Sequence, residues 1–228
     1  MKVIEIKNLH KTYDESEHKV HAIRGIDLFF EEGEFTAIAG PSGCGKTTLL
    51  NMLGGLDNPS EGEILVGGED ISSLKSSERI NFRLNNIGFV FQAYNLIPVL
   101  TAAENVEFIM HLQGRSKTDR DRRTRELLEA VGLGDRLDSR PSRLSGGQQQ
   151  RVAVARALAS KPKFVLADEP TANLDSKATE NLLDIMERLN REENITFIFA
   201  THDARVMKKA RRVIYLEDGK VIKDEEKQ

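Results

Sequence analysis

A glycine-rich octapeptide between an apolar run and a helix-like run sets the strongest limit on the possible folds of this sequence. It reads Gly40-Pro41-Ser42-Gly43-Cys44-Gly45-Lys46-Thr47, follows FTAIA and precedes TLLNMLGG. Glycines let the backbone wrap closely, so that successive N–H groups converge on phosphate oxygens, and the helix adds its positive N-terminal end. Lys46 would reach the β- and γ-phosphates, and the Thr47 hydroxyl would bind Mg²⁺. The octapeptide therefore predicts a nucleotide phosphate site; the alternative is a glycine-rich turn without a ligand.

The composition of the chain indicates a folded globular protein and argues against several other classes. The 228 residues are 39% hydrophobic and 30% charged, which is typical of a folded globular chain and too apolar for a disordered one. No run approaches the roughly 18 apolar residues that span a bilayer, and the charged start MKVIEIKNLHKTY does not resemble a signal peptide. Since Cys44 is the single cysteine, we expect no internal disulfide and a reducing cytosol. The net charge of −3 argues against a dedicated nucleic-acid binder, so we expect no nucleic-acid partner.

Two kinds of strand pattern predict an α/β fold with an antiparallel portion. Three segments alternate apolar and polar residues, as in a sheet with one buried face: Val3–Leu9, Ile23–Phe30 and Ile64–Val66. Four others are short, nearly continuous apolar runs, as in central strands of a parallel sheet: Phe35–Ala39, Ile87–Phe91, Phe164–Ala167 and Ile195–Ala200.

Helical patterns fill the stretch between these parallel strands, over Thr101–Gln113, Thr118–Val131 and Gln148–Ala159. We therefore predict a single domain, 1–228, in which residues 1–92 and 161–228 form the α/β core and residues 93–160 form an inserted helical subdomain. The Arg/Lys-rich piece 115–125 also contains Asp119 and Asp121, which favours a solvated helix face over a nucleic-acid patch.

Polar residues at the ends of apolar runs extend the predicted site. Asp168 and Glu169 end the run FVLA; Asp168 would hold Mg²⁺, and Glu169 would act as general base on the attacking water. Gln92 follows IGFVF and would complete the Mg²⁺ shell or hold that water, while His202 follows ITFIFAT and would bond the γ-phosphate. Taken alone, the two acids could equally be a capping pair before Pro170.

A further motif, Leu144-Ser145-Gly146-Gly147-Gln148, identifies the family, because it resembles the LSGGQ signature of ABC ATPases. The other motifs follow in that family's order. Tyr13 matches the aromatic residue that stacks on adenine, Asn173-Leu174-Asp175 lies at the D-loop, and His202 lies at the histidine switch. The resemblance covers essentially the whole chain. It implies an ATPase with a P-loop NTPase core, namely a mixed parallel sheet with flanking helices, plus an N-terminal antiparallel β portion and an inserted α-helical subdomain.

The resemblance also implies site residues, cofactors and partners. The implied catalytic residues are Glu169, His202 and Lys46, and the implied ligands of Mg²⁺ are Thr47, Gln92 and Asp168. The residues implied to bind ATP are Tyr13, Gly40, Pro41, Ser42, Gly43, Cys44, Gly45, Lys46, Thr47, Thr48, Gln92, Ser145, Gly146, Gly147 and Gln148. Ser145 and Gly147 of one subunit would cap the γ-phosphate held by the other, so that ATP closes a head-to-tail homodimer.

Three longer segments suggest a subfamily: FVFQAYNLIPVLTAAENV, LSGGQQQRVAVARALA and DEPTANLDS. They resemble the ATPases of lipoprotein release, macrolide export and the FtsE–FtsX pair, apart from Ala172, where glycine is usual. An integral membrane permease-like partner, and a place on the inner face of the cell membrane, follow from this resemblance. The apolar loop 92–100 would receive a helix of that partner; the alternative is packing within the helical subdomain. Two other functions stay open: a non-transport member of the family acting on DNA or ribosomes, and a different phosphate-loop enzyme such as a kinase.

Overall fold

The computed structural model describes residues 1–15 and 18–227. The strands, in chain order, are β1 Lys2–Glu15, β2 His18–Glu31, β3 Phe35–Ala39, β4 Glu61–Val66, β5 Glu69–Asp70, β6 Ile87–Val90, β7 Phe164–Asp168, β8 Thr196–Thr201, β9 Arg212–Glu217 and β10 Lys220–Glu226. The helices are α1 Lys46–Leu53, α2 Ser76–Asn86, α3 Ala102–Leu112, α4 Lys117–Ala130, α5 Gly146–Ala159, α6 Ser176–Glu193 and α7 Ala204–Lys209.

A six-stranded sheet forms the centre of the fold, in the order β10-β9-β3-β8-β7-β6. Neighbouring strands are parallel except at the edge, where β10 pairs antiparallel to β9. Every residue of β3 and β8 is buried, as the continuous apolar runs predict. Because the strands are parallel, the carboxyl ends of β3, β7 and β8 meet at one edge of the sheet, where such folds bind ligands.

A second sheet is antiparallel, in the order β2-β1-β4-β5, and confirms the predicted antiparallel portion. The β1–β2 pair is longer than predicted, since it continues past Leu9 to the end of β1. Buried apolar side chains mark only the first part of β1, at Val3, Ile4, Ile6 and Leu9. Beyond Leu9, backbone hydrogen bonds to β2 hold the strand. Such bonds do not require apolar side chains at every second position, so the sequence carries no strand pattern there.

The helices α3, α4 and α5 form the helical segment and confirm the three predicted helices. Thr101, Ser116 and Ser145 cap their N-termini, each accepting a hydrogen bond from the backbone N–H three residues on. They pack through a cluster of buried apolar side chains: Val106, Met110, Leu127, Leu128, Val131 and Val152. Within residues 1–15 and 18–227, no helix has both the length and the apolarity needed to cross a bilayer.

Candidate active site

The glycine-rich loop joins β3 to α1 at the ligand-binding edge of the sheet, as predicted. Gly45 caps α1 with a φ of +108°, and a Cβ there would lie 2.6 Å from the Ala22 carbonyl oxygen. A Cβ on Gly40 would lie 2.1 Å from the Leu216 carbonyl oxygen. Glycine is therefore required at both positions, because neighbouring backbone leaves no room for a side chain. The Lys46 ammonium donates to the carbonyl oxygens of Gly40 at 2.7 Å and Pro41 at 2.9 Å, which holds it across the loop.

A cavity of about 1040 Å³ opens above this loop. It is lined by eleven of the predicted residues: Tyr13, Pro41, Ser42, Gly43, Gly45, Lys46, Thr47, Thr48, Gln92, Glu169 and His202. Gly40, Cys44 and Asp168 are not part of the lining; Cys44 is buried beneath the loop. The structure thus brings together residues that are up to 189 positions apart in sequence (Tyr13 and His202).

Asp168 ends β7 beside the loop, where its Oδ1 accepts a hydrogen bond from Thr47 Oγ1 at 3.1 Å. Burial raises the pKa of the Asp168 carboxyl, and the nearby charge of Glu169 adds to this, against the hydrogen bond from Thr47 and the charge of Lys46. The described residues hold no cluster of three or more His, Cys, Asp or Glu side chains able to bind a metal. One carboxylate and one hydroxyl nevertheless suit Mg²⁺, which is usually bound by one or two protein oxygens together with phosphates and water.

Glu169 and His202 form a hydrogen bond that the sequence did not predict. Glu169 Oε1 lies 2.7 Å from His202 Nδ1, and Glu169 Oε2 accepts from Thr201 Oγ1 at 3.2 Å. The contact arises because β7 and β8 are neighbours, with Asp168 paired to Ala200. Glu169 has a left-handed φ of +44°, a strained conformation for a non-glycine residue that is typical of functional sites. Its side chain is 16% exposed and that of His202 is 73% exposed, so the pair reaches from the sheet edge into the cavity.

The signature motif lies in a second cavity, of about 450 Å³. Its lining includes Ser145, Gly146, Gly147, Gln148, Asn173, Leu174 and Asp175. Ser145 Oγ accepts from the Gln148 N–H, and the Gln148 side chain accepts from the Ser145 N–H, which completes a capping box at the start of α5. Among the described residues, none lines both cavities. Within one chain, the signature and the phosphate loop are therefore separate sites.

Two segments that the sequence did not indicate also line the first cavity. They are residues 19–22 with Arg24 on β2, and the turn Asp218-Gly219 between β9 and β10. Gly219 donates its N–H to the Cys44 carbonyl oxygen at 3.0 Å, so the turn is fixed to the loop. This position depends on the parallel pairing of β9 with β3, which no local motif reveals.

Comparisons with known proteins agree with one another. The family model for ABC transporters matches residues 23–172. An uncharacterized ABC transporter ATP-binding protein of Methanocaldococcus jannaschii is 51% identical over 220 residues, which is 96% of this chain and 98% of that protein. The macrolide export ATP-binding/permease protein MacB of Rhodopirellula baltica is 46% identical over 97% of this chain and 33% of its own length. The solved dimer of the ATP-binding cassette MJ0796, in a post-hydrolysis state with ADP and Pi, superposes with a TM-score of 0.90 at 43% identity, covering 98% of both chains.

Proposed function

This chain belongs to the ABC transporter family as an ABC-type ATPase, and from that premise we propose how its residues hydrolyse ATP and what the hydrolysis drives. One observation carries the proposal. Most of the phosphate loop and the Glu169–His202 pair line one cavity, and Asp168 is hydrogen-bonded to Thr47 of that lining. This gives a phosphate cradle, oxygen ligands and a carboxylate base at one place.

Each part of the substrate has a matching group. Tyr13 stacks on adenine, while the loop N–H groups and Lys46 hold the phosphates. Thr47 and Asp168 would hold Mg²⁺, together with Gln92 of the same cavity; bound there, the ion neutralises negative charge on the phosphates. Glu169 takes the proton from the water that attacks the γ-phosphorus, so that ADP and phosphate leave. His202 Nδ1 orients the Glu169 carboxylate, and Nε2 of the same ring would hydrogen-bond the γ-phosphate.

A second copy of the chain completes the site. The signature offers N–H groups at the start of the 14-residue helix α5, which favour an anion, yet it lies in a cavity apart from the phosphate loop of its own chain. In a head-to-tail homodimer, Ser145 and Gly147 of one copy bind the γ-phosphate held by the other. The dimeric state of MJ0796 supports this arrangement.

Substitution of Lys46 tests the assignment of the first cavity. Lys46→Ala removes the only cation among the loop residues, so we expect ATP affinity to fall by at least tenfold. The matched control is Lys208→Ala, an exposed lysine on α7, which should bind ATP like the wild type. Calorimetric titration with ATP measures both. Undiminished ATP binding by Lys46→Ala would remove the loop from the proposed site.

A groove between the helices α3 and α5 on one side and β6 and α2 on the other supports a membrane partner. It has a volume of about 380 Å³ and a mainly apolar lining that includes Leu56, Ile87, Phe89, Phe91, Ile97, Phe108 and Ile109. Ile97 belongs to the apolar loop from which docking was predicted, and Phe108 is 38% exposed. Neither Asp nor Glu occurs among its described lining residues. The groove therefore suits an apolar segment of another protein.

Two arginines define the charge of this groove. Arg156 donates to the carbonyl oxygens of Tyr94 and Asn95, and Arg83 donates to that of Gly55. Burial lowers the pKa of both guanidinium groups, and in the described part of the chain neither forms an ion pair with a carboxylate. The occupant that complements this surface is a short cytoplasmic helix with apolar side chains and a carboxylate, carried by the membrane partner.

This partner would place the chain on the inner face of the cell membrane, where it powers a permease-like protein of the FtsX or macrolide-export type. The MacB relative supports this assignment, since its name joins an ATP-binding part and a permease part in one protein. Affinity purification of tagged Glu169→Gln from native membranes with ATP–Mg²⁺ tests it. We expect a stoichiometric membrane protein with few spans and a large external domain to copurify. Adding Phe108→Asp to the tagged variant should abolish this copurification, whereas adding the control substitution Ile222→Asp should not. Ribosomal or DNA-repair proteins in its place would favour the non-transport alternative.

A further inference from the structure

The aromatic ring of Tyr13 is held by two charged residues outside the known motifs. Its hydroxyl donates to Asp57 Oδ2 at 2.6 Å, and Asp57 Oδ1 accepts from Lys11 Nζ at 2.6 Å. The same ammonium also donates to the Asn58 carbonyl oxygen at 2.7 Å and lies 4.7 Å from the centroid of the Tyr13 ring. Lys11 is only 9% exposed. A nearly buried lysine is therefore fixed by a carboxylate, a carbonyl and an aromatic face at once.

This cluster connects the antiparallel sheet to the helix of the phosphate loop. Lys11 and Tyr13 are two residues apart on β1 and so share one face of the strand. Asp57 follows α1, where the N–H groups of Leu56 and Asp57 donate to the Asn51 carbonyl oxygen at 2.8 and 3.2 Å. Since α1 begins at Lys46 of the loop, Asp57 ties the ring of Tyr13 to the opposite end of the same helix.

The geometry leaves one face of the ring available. Tyr13 lines the large cavity, whereas Lys11 and Asp57 are not among the described residues that line it. Lys11 covers a ring face from behind, and a planar base could stack on the cavity side. A cation behind an aromatic ring also restrains the ring against rotation, because its attraction is strongest over the ring face.

Hydrogen bonds determine the protonation states of Asp57 and Tyr13 in this cluster. Burial opposes ionisation of Asp57, but the hydrogen bonds from Lys11 and Tyr13 outweigh it and lower the pKa of the carboxyl. Burial and the hydrogen bond to Asp57 raise the pKa of the Tyr13 hydroxyl. Asp57 is thus a carboxylate at neutral pH and Tyr13 keeps its proton, which maintains the donor–acceptor pair.

We propose that Asp57, supported by Lys11, is a positioning residue for the nucleotide base: it fixes the Tyr13 ring relative to the phosphate loop. The inference rests on the proposed stacking of adenine on Tyr13. A ring that is already fixed loses little freedom when the base stacks on it, so the cluster strengthens binding of the base and leaves binding of the phosphates unchanged.

The test compares ATP with inorganic tripolyphosphate, a ligand that has the phosphates and no base. In Asp57→Asn the KM for ATP should rise about fivefold, which corresponds to about 1 kcal/mol, with kcat unchanged. The inhibition constant of tripolyphosphate against ATP hydrolysis should stay at the wild-type value. Tyr13→Phe, which keeps the ring and loses the hydroxyl, should raise KM similarly, and combining the two changes should add little, because each disrupts the same contact between the Tyr13 hydroxyl and the Asp57 carboxylate. Asp14→Asn, an exposed carboxylate on the same strand, is the matched control.

The outcomes separate this inference from the function on which it rests. An unchanged KM in Asp57→Asn, or an equal weakening of tripolyphosphate, would overturn the positioning role; the second result would show that Asp57 supports only the loop. Tyr13→Ala provides the distinction. If it leaves the KM for ATP unchanged, the stacking of adenine on Tyr13 is wrong and the inference fails with it. If it raises the KM while Asp57→Asn does not, only the inference fails.

Discussion

The side chain of Gln150 on α5 connects the helical segment to the backbone on which the proposed active-site residues lie. It is fully buried, and its Nε2 donates to the Pro170 carbonyl oxygen at 2.8 Å and to the Phe91 carbonyl oxygen at 3.3 Å. Phe91 precedes Gln92, and Pro170 follows Glu169. One amide on the signature helix therefore holds the backbone beside two of the proposed active-site residues.

Gln150→Leu keeps the approximate size of the side chain and removes both hydrogen bonds. Each buried carbonyl that loses its donor costs about 1 to 3 kcal/mol. Gln150 Oε1 is buried without a partner among the described residues, so removal of this atom recovers part of that cost. We expect a net destabilisation of about 2 kcal/mol, and a fall in kcat for ATP hydrolysis with little change in KM, because the loop and Tyr13 are untouched.

Urea denaturation and steady-state ATPase kinetics measure the two effects. With a denaturant slope of about 2 kcal/mol per molar, the midpoint should fall by about 1 M. Gln149→Leu is the matched control: this neighbour is half-buried and donates one bond, to the Leu144 carbonyl oxygen at 3.1 Å, so its midpoint should fall by less than half as much. Equal midpoints for the wild type and Gln150→Leu, or a kcat that does not fall, would refute the coupling.

Two further predictions concern packing and pH. Gly88→Ala would place a Cβ 2.4 Å from the Ala157 carbonyl oxygen, so β6 and α5 must separate, and thermal unfolding should show a loss of about 1 to 3 kcal/mol. Asp203 accepts hydrogen bonds from Arg205 and Thr171, and these hold the pKa of its carboxyl at about 2, below its ordinary value of 3.8. The stabilisation is complete above about pH 4 and lost as pH falls towards 2. The stability difference between the wild type and Asp203→Asn, about 1 kcal/mol after solvent screening, should therefore be constant near neutral pH and shrink over that range; a difference that grows on acidification would contradict it.

The sequence predicted those features whose cause is local. The phosphate loop is determined by glycine and its flanking runs, and the buried strands by continuous apolar residues, so β3 was located to the residue. Two further elements also have local signals in the sequence. The helix α6 has Leu182, Leu183, Met186 and Leu189 at helical spacing, and the Asp218-Gly219 dipeptide marks the turn of the β9–β10 hairpin.

Features that depend on contacts between distant segments could not be predicted. The Glu169–His202 hydrogen bond requires β7 and β8 to be neighbours, and the Tyr13–Asp57 bond joins segments 44 residues apart. Asp57 in particular belongs to no motif and occupies a turn where carboxylates are common. The roles of the predicted site residues stay predictions, although eleven of them share one cavity.

In the proposed dimer two copies of this chain share each ATP, and the variant Glu169→Gln provides the sharpest test of that sharing. The amide cannot accept the proton of the attacking water, so ATP stays bound and the closed dimer should accumulate. In sedimentation velocity with ATP–Mg²⁺, we expect this variant to sediment as a dimer, with twice the 25.6 kDa mass of one chain. Without nucleotide it should sediment as a monomer. The double variant that also carries Ser145→Arg should sediment as a monomer even with ATP–Mg²⁺. A Glu169→Gln protein that binds ATP and stays monomeric at every concentration would contradict the claim.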